Sequence, residues 1–222
     1  MVLELNSSEM MLAEKIIFIG MRKATDSMTF FTREKLVIKN LKITVKDVSV
    51  MNNFSNNISK EPITILTTEL IGQLSGYSYL LFSDNDISKL MELCIPEQHK
   101  SMSEKSMQML DSLLLEIDNI VSASVITQFS NILKVKIHGG VPSLKRLNAG
   151  ELITYLSENH RSVPFLLSIE CDFSNNNMSL NPEFIWILYS EFIKAVKNVA
   201  KDNNTIEAVN QFYNTINDNR AN

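Results

Sequence analysis

The segment SLLLEIDNIVSAS, residues 112 to 124, sets a carboxylate and a carboxamide at helical spacing among leucines and isoleucines. At about 100° per residue, Ser112, Glu116, Asn119 and Ala123 fall within about 60° of one another. Leu113, Leu114, Ile117, Ile120, Val121 and Val125 take the far side. One helix face is therefore core, and the other offers an acceptor-only carboxylate, an amide that both donates and accepts, and two small residues. A Glu and an Asn on the outer face of an amphipathic helix are ordinarily just solvated, and that plain reading stands beside any chemical one.

Familiar enzyme signatures are missing elsewhere. There is no phosphate-cradling glycine loop, no His-Glu-x-x-His helix and no Gly-x-Ser-x-Gly turn. His99, His138 and His160 each stand alone in their segments, so no metal centre of the chain's own is expected.

What remains is a spacing. Three residues separate Ser112 from Glu116, two separate Glu116 from Asn119, and 22 separate Asn119 from Pro142. This pattern resembles the phosphatase signature of the CheC/CheX/FliY family of bacterial chemotaxis proteins, with all four positions matched. The stretch IGQLSGYSYLLFSDNDISKLMELC is similar to that family's strand-turn-strand-helix segment. With the internal repeat described below, the resemblance spans about residues 8 to 200.

The resemblance implies hydrolysis of the aspartyl phosphate on a phosphorylated CheY-like response regulator. The partner would carry the Mg²⁺, so no cofactor of this chain's own is implied. Asn119 would hold a water in line with the phosphorus, and Glu116 would take an ion pair from a lysine of the regulator. Ser112 and Ala123 would keep the flanks low, and Pro142, with φ fixed near −65° after the flexible pair Gly139-Gly140, would shape the bordering loop. Lys134, Lys136, Lys145 and Arg146 flank this helix end and are candidates to attract an acidic pocket; solvated positions are the plain alternative. A non-catalytic protein of the same fold, akin to a flagellar-switch middle domain or an adaptor for a regulator or deamidase, is the alternative function.

The elements that must position these residues follow from periodicity. A long helix is predicted from Ser8 to about Thr32 with Ser7 or Ser8 as N-cap. LVIKNLKITVKDVSV reads as a strand, then an Asn-rich loop, then the strand ITILTTELIG. GQLSG reads as a hairpin turn whose glycines permit positive φ, followed by YSYLLF and a short helix capped by Ser83 or Asp84 that ends before Pro96. After a polar linker the order recurs: a helix from near Ser103 to about Leu133, strand-like KVKIHGGVP, the short helix NAGELITYLSENH, two β runs joined by SNNN, and a helix from about Ser190 to Asp202. NTIEAVNQFYNTI is an appended amphipathic helix, expected to pack on the domain or bind a partner.

These elements predict an α/β (α+β) fold: one CheC-like domain over 1–222, built of two pseudo-repeats (about 7–96 and 103–202) around a mostly antiparallel sheet, with a helical extension at about 203–218. A shift of 102 residues lays Glu14 on Glu116 but Ile17 on Asn119, Met10 on Ser112 and Asn40 on Pro142. An isoleucine cannot orient a water, so the first copy is degenerate. A single site in the later helix is similar to the CheX branch, which implies a homodimer as an option.

Composition sets the outer limits. The 222 residues are 45% hydrophobic and 21% charged with net charge −4, which suits a soluble globular protein and gives no reason to expect nucleic acid or an anionic membrane as partner. No signal peptide is read at the N-terminus, and no apolar run approaches the ~20 residues that span a bilayer. Cys94 and Cys171 sit apart in apolar contexts and read as buried thiols of a cytoplasmic protein.

Overall fold

The computed structural model describes residues 5–32, 37–46, 62–95, 104–160, 166–174 and 182–218. The elements run α1 (Ser7–Thr32), β1 (Val37–Lys46), β2 (Ile63–Gly72), β3 (Gly76–Ser83), α2 (Asp84–Cys94), α3 (Glu104–Leu133), β4 (Ile137–Gly139), β5 (Ser143–Leu147), α4 (Ala149–His160), β6 (Leu166–Ser174), β7 (Glu183–Leu188), α5 (Ser190–Val199) and α6 (Asn203–Asp218). The predicted Asn-rich loop and the SNNN turn fall almost wholly outside the described residues, as does most of the linker before α3.

The strands form one antiparallel sheet in the order β1-β6-β7-β3-β2-β4, with β5 pairing β2 beyond β4. The predicted mixed fold with an antiparallel sheet is thus the observed one. Each half lends its outer strand to the other: β1 pairs β6, while β4 and β5 pair β2. The two β3-β7 neighbours form the seam.

Alternation along the central strands sorts their side chains to two faces. Leu66, Leu80, Phe82, Phe184, Trp186 and Leu188 join the main core with α1 and α3. Ile63, Ile65, Tyr79, Leu81, Ile185 and Ile187 pack under Leu152 and Leu156 of α4. His160, at the end of α4, is buried there with its Nε2 2.7 Å from the Tyr79 hydroxyl and its Nδ1 3.3 Å from that of Tyr189. Burial pulls its imidazole down to about 4, so it is a neutral core histidine at pH 7.

Local chemistry sets the element ends. Asn6, rather than Ser7 or Ser8, caps α1: its Oδ1 accepts from the Glu9 amide at 2.9 Å while its own amide donates to the Glu9 carboxylate at 2.8 Å. Ser83 caps α2 through the same reciprocal pair with Asp86. Between β2 and β3, Gly72 and Gly76 take φ of 127° and 154°, the left-handed region that the turn demanded of glycine. Cys94 ends α2 half-buried, and Cys171 lies on β6 opposite Leu41.

α6 packs along α1. Phe18 and Tyr213 meet edge to face at 5.1 Å, Lys15 donates to Asn210 at 2.6 Å, and Lys23 lies over the Phe212 ring. Among the described residues, no helix is long and apolar enough to cross a membrane.

Candidate functional site

α3 is a 30-residue helix whose inner stripe, including Leu110, Leu114, Ile117, Val121, Val125 and Phe129, is buried against the sheet and α1. α1 crosses it closely: a Cβ placed on Gly20 would sit 3.1 Å from Val125 Cγ1, and Ser27 and Ser124 share a hydrogen bond at 3.1 Å. The stripe that the apolar spacing leaves outward is Ser112, Glu116, Asn119 and Ala123, and all four are exposed. Neither Glu116 nor Asn119 makes a hydrogen bond or ion pair with another described residue. Ser112 is partly committed, donating its hydroxyl to the Gln108 carbonyl at 2.9 Å, an i−4 bond within the helix. Shallow grooves border the ridge at both ends, one of about 470 Å³ beside Ser112 and Met109, the other of about 540 Å³ beside Ala123, Ile120 and Lys23.

Pro142 lies half-buried in the link from β4 to β5. Gly139 and Gly140 before it serve by leaving room, not by adopting positive φ. A Cβ on Gly139 would come within 3.1 Å of Thr68 Cγ2 and 3.2 Å of Ile126 Cδ1, and the Gly140 amide donates to the Glu69 carbonyl at 2.8 Å. The loop is therefore seated between β2 and α3, on the helix that carries the ridge.

Beneath the ridge lies a residue that the sequence reading passed over. Asp118 is fully buried, accepts from Thr68 Oγ1 at 2.7 Å and from Ser122 Oγ at 3.3 Å, and Ser122 in turn bonds Ser78 at 2.9 Å. Burial pushes its carboxyl up to about 6, the two hydroxyl bonds only partly offsetting that cost. The signal was present: Asp118 falls within about 40° of Leu114 and Val125 on the helical wheel, with Ser122 one turn on.

Three of the four flanking cations already have internal partners. Lys134 binds Asp202 at 2.8 Å and, with Thr205, holds that carboxyl well below the usual range. Arg146 is paired with Asp111, tying β5 to α3 beside Ser112, and Lys145 lies 4.4 Å over the Tyr155 ring. A basic funnel is therefore not what this end of the helix presents.

In the first half, Glu14 is exposed but Ile17 is fully buried, as is Met21 one turn on. From Ile17 onward, the face that matches the ridge is closed into the core. Among the described residues, no three His, Cys, Asp or Glu side chains converge in a way that could hold a metal.

No family model and no curated relative matches the chain. Solved structures do. FliY from Thermotoga maritima superposes with a TM-score of 0.62 at 15% identity, covering 88% of this chain and 96% of its own. A CheC-like protein from Shewanella gives 0.53 at 14%, covering 79% and 98%. The FliM middle domain from H. pylori gives 0.54 at 10%, covering 88% and 98%. A CheX from Vibrio vulnificus gives 0.52 at 12%, covering 78% and 99%. The chain therefore has the fold shared by CheC-like, CheX and FliY proteins and by FliM middle domains.

Proposed function

We infer that this protein is a phosphatase of the aspartyl phosphate on a CheY-like response regulator, acting in chemotaxis-type signalling through Glu116 and Asn119. The observation that carries the reading is the exposed ridge of α3, on which a carboxylate and a carboxamide stand one turn apart with no side-chain partner among the described residues. Phosphoryl transfer from a regulator needs little covalent help, because the transition state is loose and the Mg²⁺ on the partner neutralises its charge. A placed water is what is lacking. Asn119 donates to or accepts from that water and fixes its line of attack, replacing a bimolecular search with a held geometry. Glu116 takes an ion pair from a regulator lysine and sets the register of the helix in the pocket. Ser112 and Ala123 stay low enough for the ridge to enter, and Pro142 borders the approach.

The test is phosphate release from each phosphorylated regulator of the same genome. Wild type is expected to exceed the regulator's own hydrolysis at least tenfold, and Asn119→Ala to abolish that excess while binding persists. Glu116→Gln is expected to raise KM more than it lowers kcat. Equal slow hydrolysis with wild type and Asn119→Ala would instead assign the chain to binding without turnover.

A further inference from the structure

We propose that Asp118 is a positioning residue, clamping the turn of α3 that carries Glu116 and Asn119 onto β2 and β3 through Thr68, Ser122 and Ser78. This rests on the phosphatase reading and deepens it. Asp118 is the residue directly before Asn119, about 100° round the helix, and its side chain is buried against the sheet while that of Asn119 is exposed. Its two carboxylate oxygens are divided between elements: Oδ2 accepts from Thr68 of β2, and Oδ1 from Ser122 one turn along α3. Ser122, its own proton committed to Asp118, accepts from the Ser78 hydroxyl of β3 at 2.9 Å, and the Thr68 carbonyl, 3.4 Å from Ser78, is the alternative acceptor for that one proton. Four side chains thus form one chain of hydrogen bonds, from Thr68 through Asp118 and Ser122 to Ser78, joining the helix to two adjacent strands directly under the ridge. Apolar packing allows a helix to slide and rotate by small amounts, whereas hydrogen bonds to an ionised acceptor fix direction and are about twice as strong as neutral ones. An amide that must aim a water gains from that rigidity.

The clamp is strong only while the carboxylate is ionised. Among the described residues, no charged group shares the site. Glu69 of β2 and Tyr77 and Tyr79 of β3 alternate to the sheet's other face, and His138 of β4 is exposed. Arg22 and Asp26 of α1 pair with each other, and Lys15 and Lys23 of α1 reach α6. Arg146 and Lys145 of β5 are held by Asp111 and Tyr155; α5, with Glu191, Lys194 and Lys197, meets α3 at Phe129, about three turns away. Protonation near pH 6 is therefore Asp118's own, and it forces one oxygen to donate where both now accept.

The experiment measures regulator dephosphorylation from pH 5 to 8 for wild type, Asp118→Ala, Asp118→Asn and Thr68→Val, together with amide hydrogen exchange along α3 and α5. Expected are a roughly tenfold fall in kcat for Asp118→Ala with KM changed less than threefold, partial recovery in Asp118→Asn, which keeps the Thr68 bond, and a similar fall for Thr68→Val. Wild-type turnover drops several-fold as pH falls through 6, and Asp118→Asn loses that drop. Exchange at 116–123 quickens in Asp118→Ala while α5 is unchanged. If wild type shows no phosphatase activity, the functional reading fails, and exchange alone then decides the clamp. Unchanged exchange at 116–123 in Asp118→Ala, or a wild-type pH profile in Asp118→Asn, overturns it.

Discussion

Asn119 and Asp118 are adjacent in the chain and opposite in surroundings, one bare to solvent and the other sealed beneath it. Spacing alone showed which residues lie outward on α3, because the apolar positions leave only one face for them. It did not show that a carboxylate sits among the leucines, since hydrophobic counting skips a charged residue even when its angle is that of the core. Ile17 is the reverse case: its type alone ruled out a water-holding role, and its full burial shows the same residue serving as packing. The two buried titratable groups also act on stability with opposite signs. The raised carboxyl of Asp118 costs stability when ionised, a cost relieved as pH falls through about 6. The depressed imidazole of His160 supplies stability above pH 6.5 that is lost as pH falls toward 4. Each is worth on the order of 3 kcal/mol, so they largely offset one another in wild type. Thermal melts between pH 7 and 5 should show Asp118→Asn losing more stability on acidification than wild type, and His160→Gln losing less. Parallel curves for all three would contradict both assignments.

At the scale of elements, caps and turns were legible where the residues have one strong use. Ser83 as the cap of α2 and the positive-φ glycines at 72 and 76 follow directly from residue type, whereas α3 stops where Lys134 takes φ of 56°, which a lysine does not announce. Asn6 was overlooked as a cap because two serines follow it, yet only Asn6 is placed to exchange bonds with Glu9. β5 was missed for a physical reason: SLKRL lacks apolar alternation because it is an outer strand whose exposed lysine and arginine lie on opposite faces, toward Tyr155 of α4 and Asp111 of α3, and charged residues guard a sheet edge. Of the glycines before Pro142, Gly139 is a close fit against Thr68 and Ile126, while Gly140 has ordinary room around it. Gly139→Ala should therefore lower stability by about 1–2 kcal/mol through overpacking against Thr68 and Ile126, measured as a lower Tm. A Tm equal to wild type would mean that the loop is not seated on α3.

For the whole molecule, the mix of helices with an antiparallel sheet was legible in the chain, but the pairing of β1 with β6 and of β4 and β5 with β2 was not, because pairing partners far apart in sequence leave no local mark. The C-terminal helix was legible as amphipathic, and its apolar side is taken by α1. Removing residues 203–222 should uncover Phe18 and Ile19, lower the Tm and promote aggregation, while the folded fraction keeps the turnover of the full chain, since α6 lies beside the last turns of α3 and away from Glu116 and Asn119. Loss of turnover in the soluble fraction would place α6 in the active machinery.

The strand exchange reaches back to the moment of synthesis. Val37–Lys46 leaves the ribosome long before Leu166–Ser174 exists to bond with it, and β2 likewise waits for Ser143–Leu147. Such distant pairings fold slowly because long loops must close first. The nascent N-terminal half thus lacks the neighbours that would complete its sheet, and no early cleavage or split of the gene between the halves could yield a self-sufficient piece.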